Sequence, residues 1–326
     1  MSPEKQQALM DIEAKLRESN FPPQVVVETT AYCNFRCRHC HHDKLEREKG
    51  TMSTDLWTKI VSEVAERKPD AELWPTFYGE ALILGERLYR WIRQAREAGL
   101  TNLVLNSNGS FCRGRYIDDI LMCGLRRFLL SLDGFTQETF ERIRYTRDRN
   151  GKYEPVYTGV RELLRRKHEL DAVGIQTPTI ICQFSMMDDN EHEAEPFREY
   201  WLRHGAHVKL REKLTWTGYV SASNLTRDYA HRVACPWGNN TCAIHWNGDV
   251  VACAVDNEGS FIAGNVREQS IYDIWNGPLR EFREKHRRHI WDDLPALCQG
   301  CLDWQAVGAS HYTPDGQVYH SVVATE

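Results

Sequence analysis

Thr30-Ala31-Tyr32-Cys33-Asn34-Phe35-Arg36-Cys37-Arg38-His39-Cys40 follows directly on a short apolar run, Val25–Thr29, and sets three cysteines on one loop. Three thiolates so placed can hold three irons of a [4Fe–4S] cube and leave the fourth iron without a protein ligand. An open coordination position is what catalysis needs and what a purely structural site avoids. A zinc loop, with His39, His41 or His42 as fourth ligand, is the competing reading of the same spacing. The loop's place at the carboxyl end of the first strand of a β/α array, where such folds bind ligands, favours the catalytic reading.

Outward from this loop the chain alternates. Val25–Thr29 reads as strand and Thr54–Arg67 as helix, followed by Leu73–Phe77 and Glu86–Ala98, Asn102–Leu105 and Tyr116–Cys123, and Arg127–Leu132 and Gln137–Tyr145. A long helical stretch around Val160–Asp171 precedes Thr179–Phe184, Glu193–His204 and a last strand, Val208–Arg211. Such alternation predicts an α/β fold with parallel strands and crossover helices, either an open sheet or a curved partial barrel. Residues 1–23 read as an N-terminal helix stopped by Phe21-Pro22-Pro23, because proline disfavours helix in the residue before it. Past residue 215 the texture changes: Gly, Asn and Asp become frequent, and Trp246-Asn247-Gly248-Asp249 is a hairpin turn signal. The expected division is therefore a barrel over 24–215, a small cysteine-rich domain over 216–307 and a polar tail over 308–326.

The chain has 326 residues and 11 cysteines, with a formal net charge of −5. That charge gives no reason to expect nucleic acid or an anionic membrane as partner. No apolar run approaches the ~20 residues of a membrane span, and the N-terminus lacks the apolar core of a signal peptide. A cytoplasmic address is expected, where clustered cysteines serve metals or catalysis rather than disulfides.

CxxxCxxC in this position resembles the radical S-adenosylmethionine (SAM) superfamily, whose fold is a partial (β/α)6 barrel. The resemblance implies that Cys33, Cys37 and Cys40 hold a cluster whose unique iron binds the amino and carboxylate groups of SAM. Phe77-Tyr78-Gly79-Glu80 is similar to the family's GGE motif, with Tyr78 in place of the first glycine. Gly79 would let backbone approach the methionine, and Glu80 would accept from its ammonium. Asn106-Ser107-Asn108-Gly109 resembles the TNG segment and Ser131-Leu132-Asp133-Gly134 the S(I/L)DG segment, which implies SAM contacts at Asn108, Ser131 and Asp133.

Cys235-Pro236-Trp237, the run from Trp246 to Cys253, Gly264-Asn265-Val266, Ile271–Trp275 and Cys298-x-x-Cys301 together look like the SPASM/twitch region of a subset of these enzymes. The resemblance implies one auxiliary [4Fe–4S] cluster on Cys235, Cys253, Cys298 and Cys301; a structural zinc ribbon is the alternative. It is similar in this respect to the twitch-bearing aminocyclitol dehydrogenases. The expected activity is SAM cleavage to a 5′-deoxyadenosyl radical, fed by an external one-electron reductant such as flavodoxin or ferredoxin. Abstraction of hydrogen from a sugar or aminocyclitol, with oxidation of a secondary alcohol, would follow. Arg211, with Lys209 and Lys213, is a candidate for binding substrate if its strand face lines the barrel, and an edge charge if it does not. Cys242 matches no cluster ligand; it is a packed thiol, a further ligand, or the hydrogen donor of an epimerase. Peptide modification and a zinc-stabilised binding protein without catalysis are the remaining alternatives.

Overall fold

The computed structural model describes all residues except 217, 228, 307 and 322–326. Six parallel strands lie side by side in chain order: β1 (Gln24–Val27), β2 (Glu72–Trp74), β3 (Val104–Ser107), β4 (Arg127–Ser131), β5 (Thr179–Ser185) and β6 (His207–Arg211). The bridge between Leu73 and Leu103 carries the arc from β2 to β3. Crossover helices α2 (Thr54–Arg67), α3 (Glu86–Glu97), α4 (Tyr116–Met122), α5 (Gln137–Ile143), α6 (Tyr153–Ala172) and α7 (Ala194–Arg203) cover the outside, and α1 (Pro3–Lys15) precedes them. The arc does not close on itself, so the barrel is partial. α1 is shorter than the sequence suggests because Leu16 already leaves helical backbone at φ −62°, ψ 130°.

Local chemistry explains the helices. Ser53 and Thr136 cap α2 and α5 by accepting from the backbone N–H of Leu56 and Thr139. α3 buries Leu88, Tyr89, Trp91, Ile92 and Ala95, an apolar stripe at helical spacing. On the strands the period is two. Phe128, Leu130, Ile180, Cys182, Phe184 and Val208 pack outward in the main core. Ser131, Gln183 and Lys209, side by side in register, face the lumen instead, with Ser185 and Arg211 one layer nearer the carboxyl ends.

Both edges of the arc are extended by later chain. β7 (Thr241–Ile244) runs parallel to β1 with Gln24 opposite Thr241, and β8 (Asp249–Val251) and β9 (Ile262–Asn265) continue antiparallel beyond it. The cysteine-rich region is thus not set apart as a separate body: its strands continue the barrel sheet, while α8 (Pro236–Asn240), α9 (Ile271–Asn276), α10 (Pro278–Arg287) and α11 (Ala296–Gly300) pack around them. At the other edge, β10 (Ala309–Tyr312) pairs antiparallel with β6 and β11 (Val318–Ser321) pairs with β10. Residues 309–321, read from the sequence as a polar tail, therefore form a hairpin. β6 would otherwise expose an unpaired edge, and Gly316 at φ +87° supplies the turn, with Thr313 donating to the Gln317 carbonyl at 3.0 Å.

Candidate functional site

The carboxyl ends of the six strands open on a cavity of about 320 Å³ lined by Cys33, Cys37 and Cys40. Gly79 is the joint between the cysteine loop and the second strand end. Its φ is +98°, and a Cβ there would lie 2.2 Å from the Thr30 carbonyl oxygen. The close approach lets the Glu80 amide donate to the Tyr32 carbonyl at 2.9 Å. Glu80 is buried, and its Oε2 accepts from the Asn108 amide at 2.8 Å while Oε1 accepts from the Leu82 amide at 3.3 Å. Burial pushes its carboxyl up to about 7, against the pull of those backbone bonds. Asn108 in turn donates from Nδ2 to Asn34 Oδ1 at 2.9 Å, tying the third strand end to the loop. Tyr78, which departs from the glycine of the motif, lines the cavity and accepts at its hydroxyl from Asn257 Nδ2 at 2.9 Å.

Burial pushes the Cys37 thiol up to about 12 and raises Cys33 and Cys40 as well. Thiols so buried ionise readily only against bound metal. Among the described residues, no group of three or more His, Cys, Asp or Glu converges on a site for a single metal ion. His41 is turned away, its Nε2 2.9 Å from Glu258 Oε1 and its ring stacked on Tyr219. Three part-buried thiols on one cavity wall, beside a backbone cradle that a Cβ would fill, fit a cluster with one open iron.

Asp133 does not line this cavity. It is fully buried at φ +56°, where its carboxylate accepts from Arg144 Nε at 2.9 Å and Nη2 at 2.6 Å and from the Ser185 amide at 2.8 Å. The expected SAM contact is instead the anchor of Arg144, which faces the cavity with Nη1 3.5 Å from Cys37 Sγ. Sequence reasoning missed Arg144; nothing local marks it out among the neighbouring arginines. Ser131 does face the cavity, donating to Asn106 Oδ1 at 3.0 Å and accepting from Gln183 Nε2 at 3.1 Å.

Lys209 and Arg211 point into the lumen rather than to solvent. Burial, and then the neighbouring Arg211 cation, lowers the Lys209 amine to about 7. The Arg211 guanidinium lies over the rings of Trp216 and Trp237, 5.3 and 5.7 Å from their centroids. Lys213 is past the end of β6 and pairs with Asp188 at 2.9 Å and Glu191 at 2.5 Å. On β7 Thr241 faces the cavity, and the next residue, Cys242, points the other way, into the apolar core. Burial pushes its thiol up to about 12.

A second, smaller cavity gathers Cys235, Cys253 and the Cys298-x-x-Cys301 pair from three separate segments. Burial raises all four thiols, Cys298 to about 12. Arg232, His286, Asp303 and Trp304 complete its wall, and Trp237 and Val255 line both cavities. Four thiols around one cavity fit a fully ligated cluster. Asp256 and Glu258, after Cys253, serve the loop itself: Asp256 accepts from the amides of Ser260 and Phe261, and Glu258 from those of Glu46 and Arg47.

The radical SAM superfamily profile matches residues 27–180, and the SPASM profile, an iron–sulfur cluster-binding domain, matches residues 235–302. The chain is 29% identical to the AdoMet-dependent heme synthase of Methanosarcina barkeri over 87% of its own length and 92% of that protein. It is 24% identical to the PqqA peptide cyclase of Xanthomonas euvesicatoria, over 87% of this chain and 82% of that one. Among solved structures it resembles BtrN in complex with AdoMet and 2-DOIA, with a TM-score of 0.59 and 18% identity over 86% of this chain and 92% of that one. Among the described residues no helix is long and apolar enough to cross a membrane. The chain belongs to the radical SAM superfamily, carries a C-terminal SPASM-type iron–sulfur domain, and uses S-adenosylmethionine and two [4Fe–4S] clusters.

Proposed function

We propose that this enzyme oxidises a secondary alcohol of a small polyhydroxylated molecule, a sugar or cyclitol, with the auxiliary cluster as electron acceptor. The observation that carries the reading is the wall formed by Trp237 and Val255, which is common to the polar cavity and the four-cysteine cavity. A substrate in the first cavity is then one side chain away from an acceptor in the second. Cys33, Cys37 and Cys40 hold the SAM-binding cluster in this reading, and Cys235, Cys253, Cys298 and Cys301 the auxiliary one. When bound, these groups supply a 5′-deoxyadenosyl radical that takes a hydrogen atom from carbon, and a sink for the electron left behind.

The chain's own residues do the rest. Glu80 accepts from the methionine ammonium, Gly79 gives it room, and Asn108 and Ser131 line the same end. Gln183, Ser185 and Arg211 orient substrate hydroxyls from the lumen face. Lys209, lowered toward neutrality by burial, takes the hydroxyl proton. Loss of one hydrogen atom, one proton and one electron converts the alcohol to a ketone. An external flavodoxin or ferredoxin supplies the initiating electron. Anaerobic turnover with SAM and a panel of sugars and cyclitols tests this: the expected product is about 2 Da lighter than its substrate, and a product of unchanged mass overturns it.

The likeness to PqqA peptide cyclases favours a second reading, a peptide substrate. Crosslinking within a peptide would also remove about 2 Da, so fragmentation of the product separates a new carbon–carbon bond from a carbonyl.

A further inference from the structure

Three buried N–H donors surround the four-cysteine cavity without a partner. His286 Nε2, Arg232 Nε and Trp304 Nε1 find no hydrogen-bond acceptor among the described residues, and all three side chains line that cavity. His286 is 1% exposed and Trp304 1%. An orphaned buried donor is costly to keep, and three around one small cavity point to an acceptor that belongs there.

The tautomer of His286 is fixed by its surroundings. The Cys235 amide donates to Nδ1 at 3.5 Å, so the ring proton must sit on Nε2. The Arg232 side chain is oriented by a second bond, Nη2 donating to the Cys298 carbonyl at 2.6 Å, and by its stacking 4.6 Å over Trp291. His286 and Arg232 are therefore each held by a hydrogen bond to the backbone of a cysteine of the same cavity. Nothing in the sequence patterning singled out these residues, because they come from a loop, the last turn of α10 and a segment beyond Cys301.

We propose that His286, Arg232 and Trp304 donate N–H···S hydrogen bonds to the auxiliary cluster and thereby raise its reduction potential. Hydrogen bonds to cluster or cysteinyl sulfur stabilise the reduced state, which carries one more negative charge. In the cavity with Cys33, Cys37 and Cys40 the donors to sulfur are already paired: the Phe35 amide donates to Cys33 Sγ at 3.4 Å and Arg144 Nη1 to Cys37 Sγ at 3.5 Å. The inference rests on the assignment of Cys235, Cys253, Cys298 and Cys301 as ligands.

The test uses the reconstituted enzyme with His286→Phe, His286→Gln and Trp304→Phe. Iron content, anaerobic redox titration followed by electron paramagnetic resonance, and exchangeable-deuteron couplings of the reduced auxiliary cluster are measured. His286→Phe and Trp304→Phe should keep full iron, lose an exchangeable coupling and make reduction at least tenfold less favourable, about 59 mV for one electron. His286→Gln, which retains an N–H donor, should recover part of that shift. Unchanged potentials at full iron overturn the proposal. If His286→Phe loses the auxiliary irons, Trp304→Phe decides: a lowered potential upholds it and an unchanged one overturns it. A wild-type enzyme holding only one cluster would instead refute the ligand assignment, which iron analysis reports separately.

Discussion

Gly79→Ala measures how tightly the cysteine loop is clamped to the second strand end. The new Cβ would sit 2.2 Å from the Thr30 carbonyl oxygen and 2.9 Å from that of Tyr32, whereas carbon–oxygen contacts settle near ~3.3 Å. The two segments must therefore part by about 1 Å, which breaks the 2.9 Å bond from the Glu80 amide to Tyr32. Overpacking of this kind costs about 1–3 kcal/mol, a side chain at positive φ about 1–2 kcal/mol, and the lost bond about 1 kcal/mol. The expected destabilisation is roughly 3–6 kcal/mol. Gly99→Ala is the control, since Gly99 has φ +101° but nothing within 4 Å of its ideal Cβ; it should cost only the backbone share. Urea unfolding midpoints of the anaerobic holoenzyme report stability, and equilibrium dialysis reports SAM affinity. If Gly79→Ala is no worse than Gly99→Ala and binds SAM as wild type does, the clamp is not what shapes the site.

Cys33→Ala should abolish SAM cleavage and leave about four of about eight irons after reconstitution, as iron analysis and release of 5′-deoxyadenosine will show; retention of all the iron would refute the ligand role. Lys209 must be unprotonated to take a proton, so turnover should rise through pH about 7 and level off above it; Lys209→Met should remove that limb of the pH profile and lower the maximal rate by about 10²–10⁴-fold. Cys242→Ser should leave product formation intact while lowering stability by about 1–3 kcal/mol, because a hydroxyl replaces a thiol in an apolar core; a variant that is folded yet makes no product would support the epimerase reading.

The sequence carried the strand–helix alternation because each parallel strand is a short apolar run and each crossover a periodic helix. It carried the cysteines because their spacing is local. It could not carry partnership across long separations. The pairing of Val25 with Cys242 joins residues that share no local pattern, yet that pairing decides that Thr241 faces the cavity and Cys242 the core. Asp133 shows the same limit: its segment was legible, but the salt bridge to Arg144 that turns it from ligand contact to anchor comes from the end of a later helix. The hairpin at 309–321 had its turn signal in Pro314-Asp315-Gly316, but polar strands with one face on solvent look like loop until the edge they cover is known.

The sheet's two borders bear on how the chain is made. β1 finds its outer neighbour only in residues 241–244, and β6 finds its own in residues 309–312. During synthesis the parallel arc must wait, with both borders open, for roughly the last quarter of the chain to emerge, and long-range pairing of this kind folds slowly and exposes aggregation-prone edges. The loop bearing Cys33, Cys37 and Cys40 stays open over the same interval, because the segment around Asn257 and Glu258 that pins its flank arrives late as well. Residues 241–258 thus complete both the β1 border and the flank of the cysteine loop, and a chain stalled before them lacks the two together.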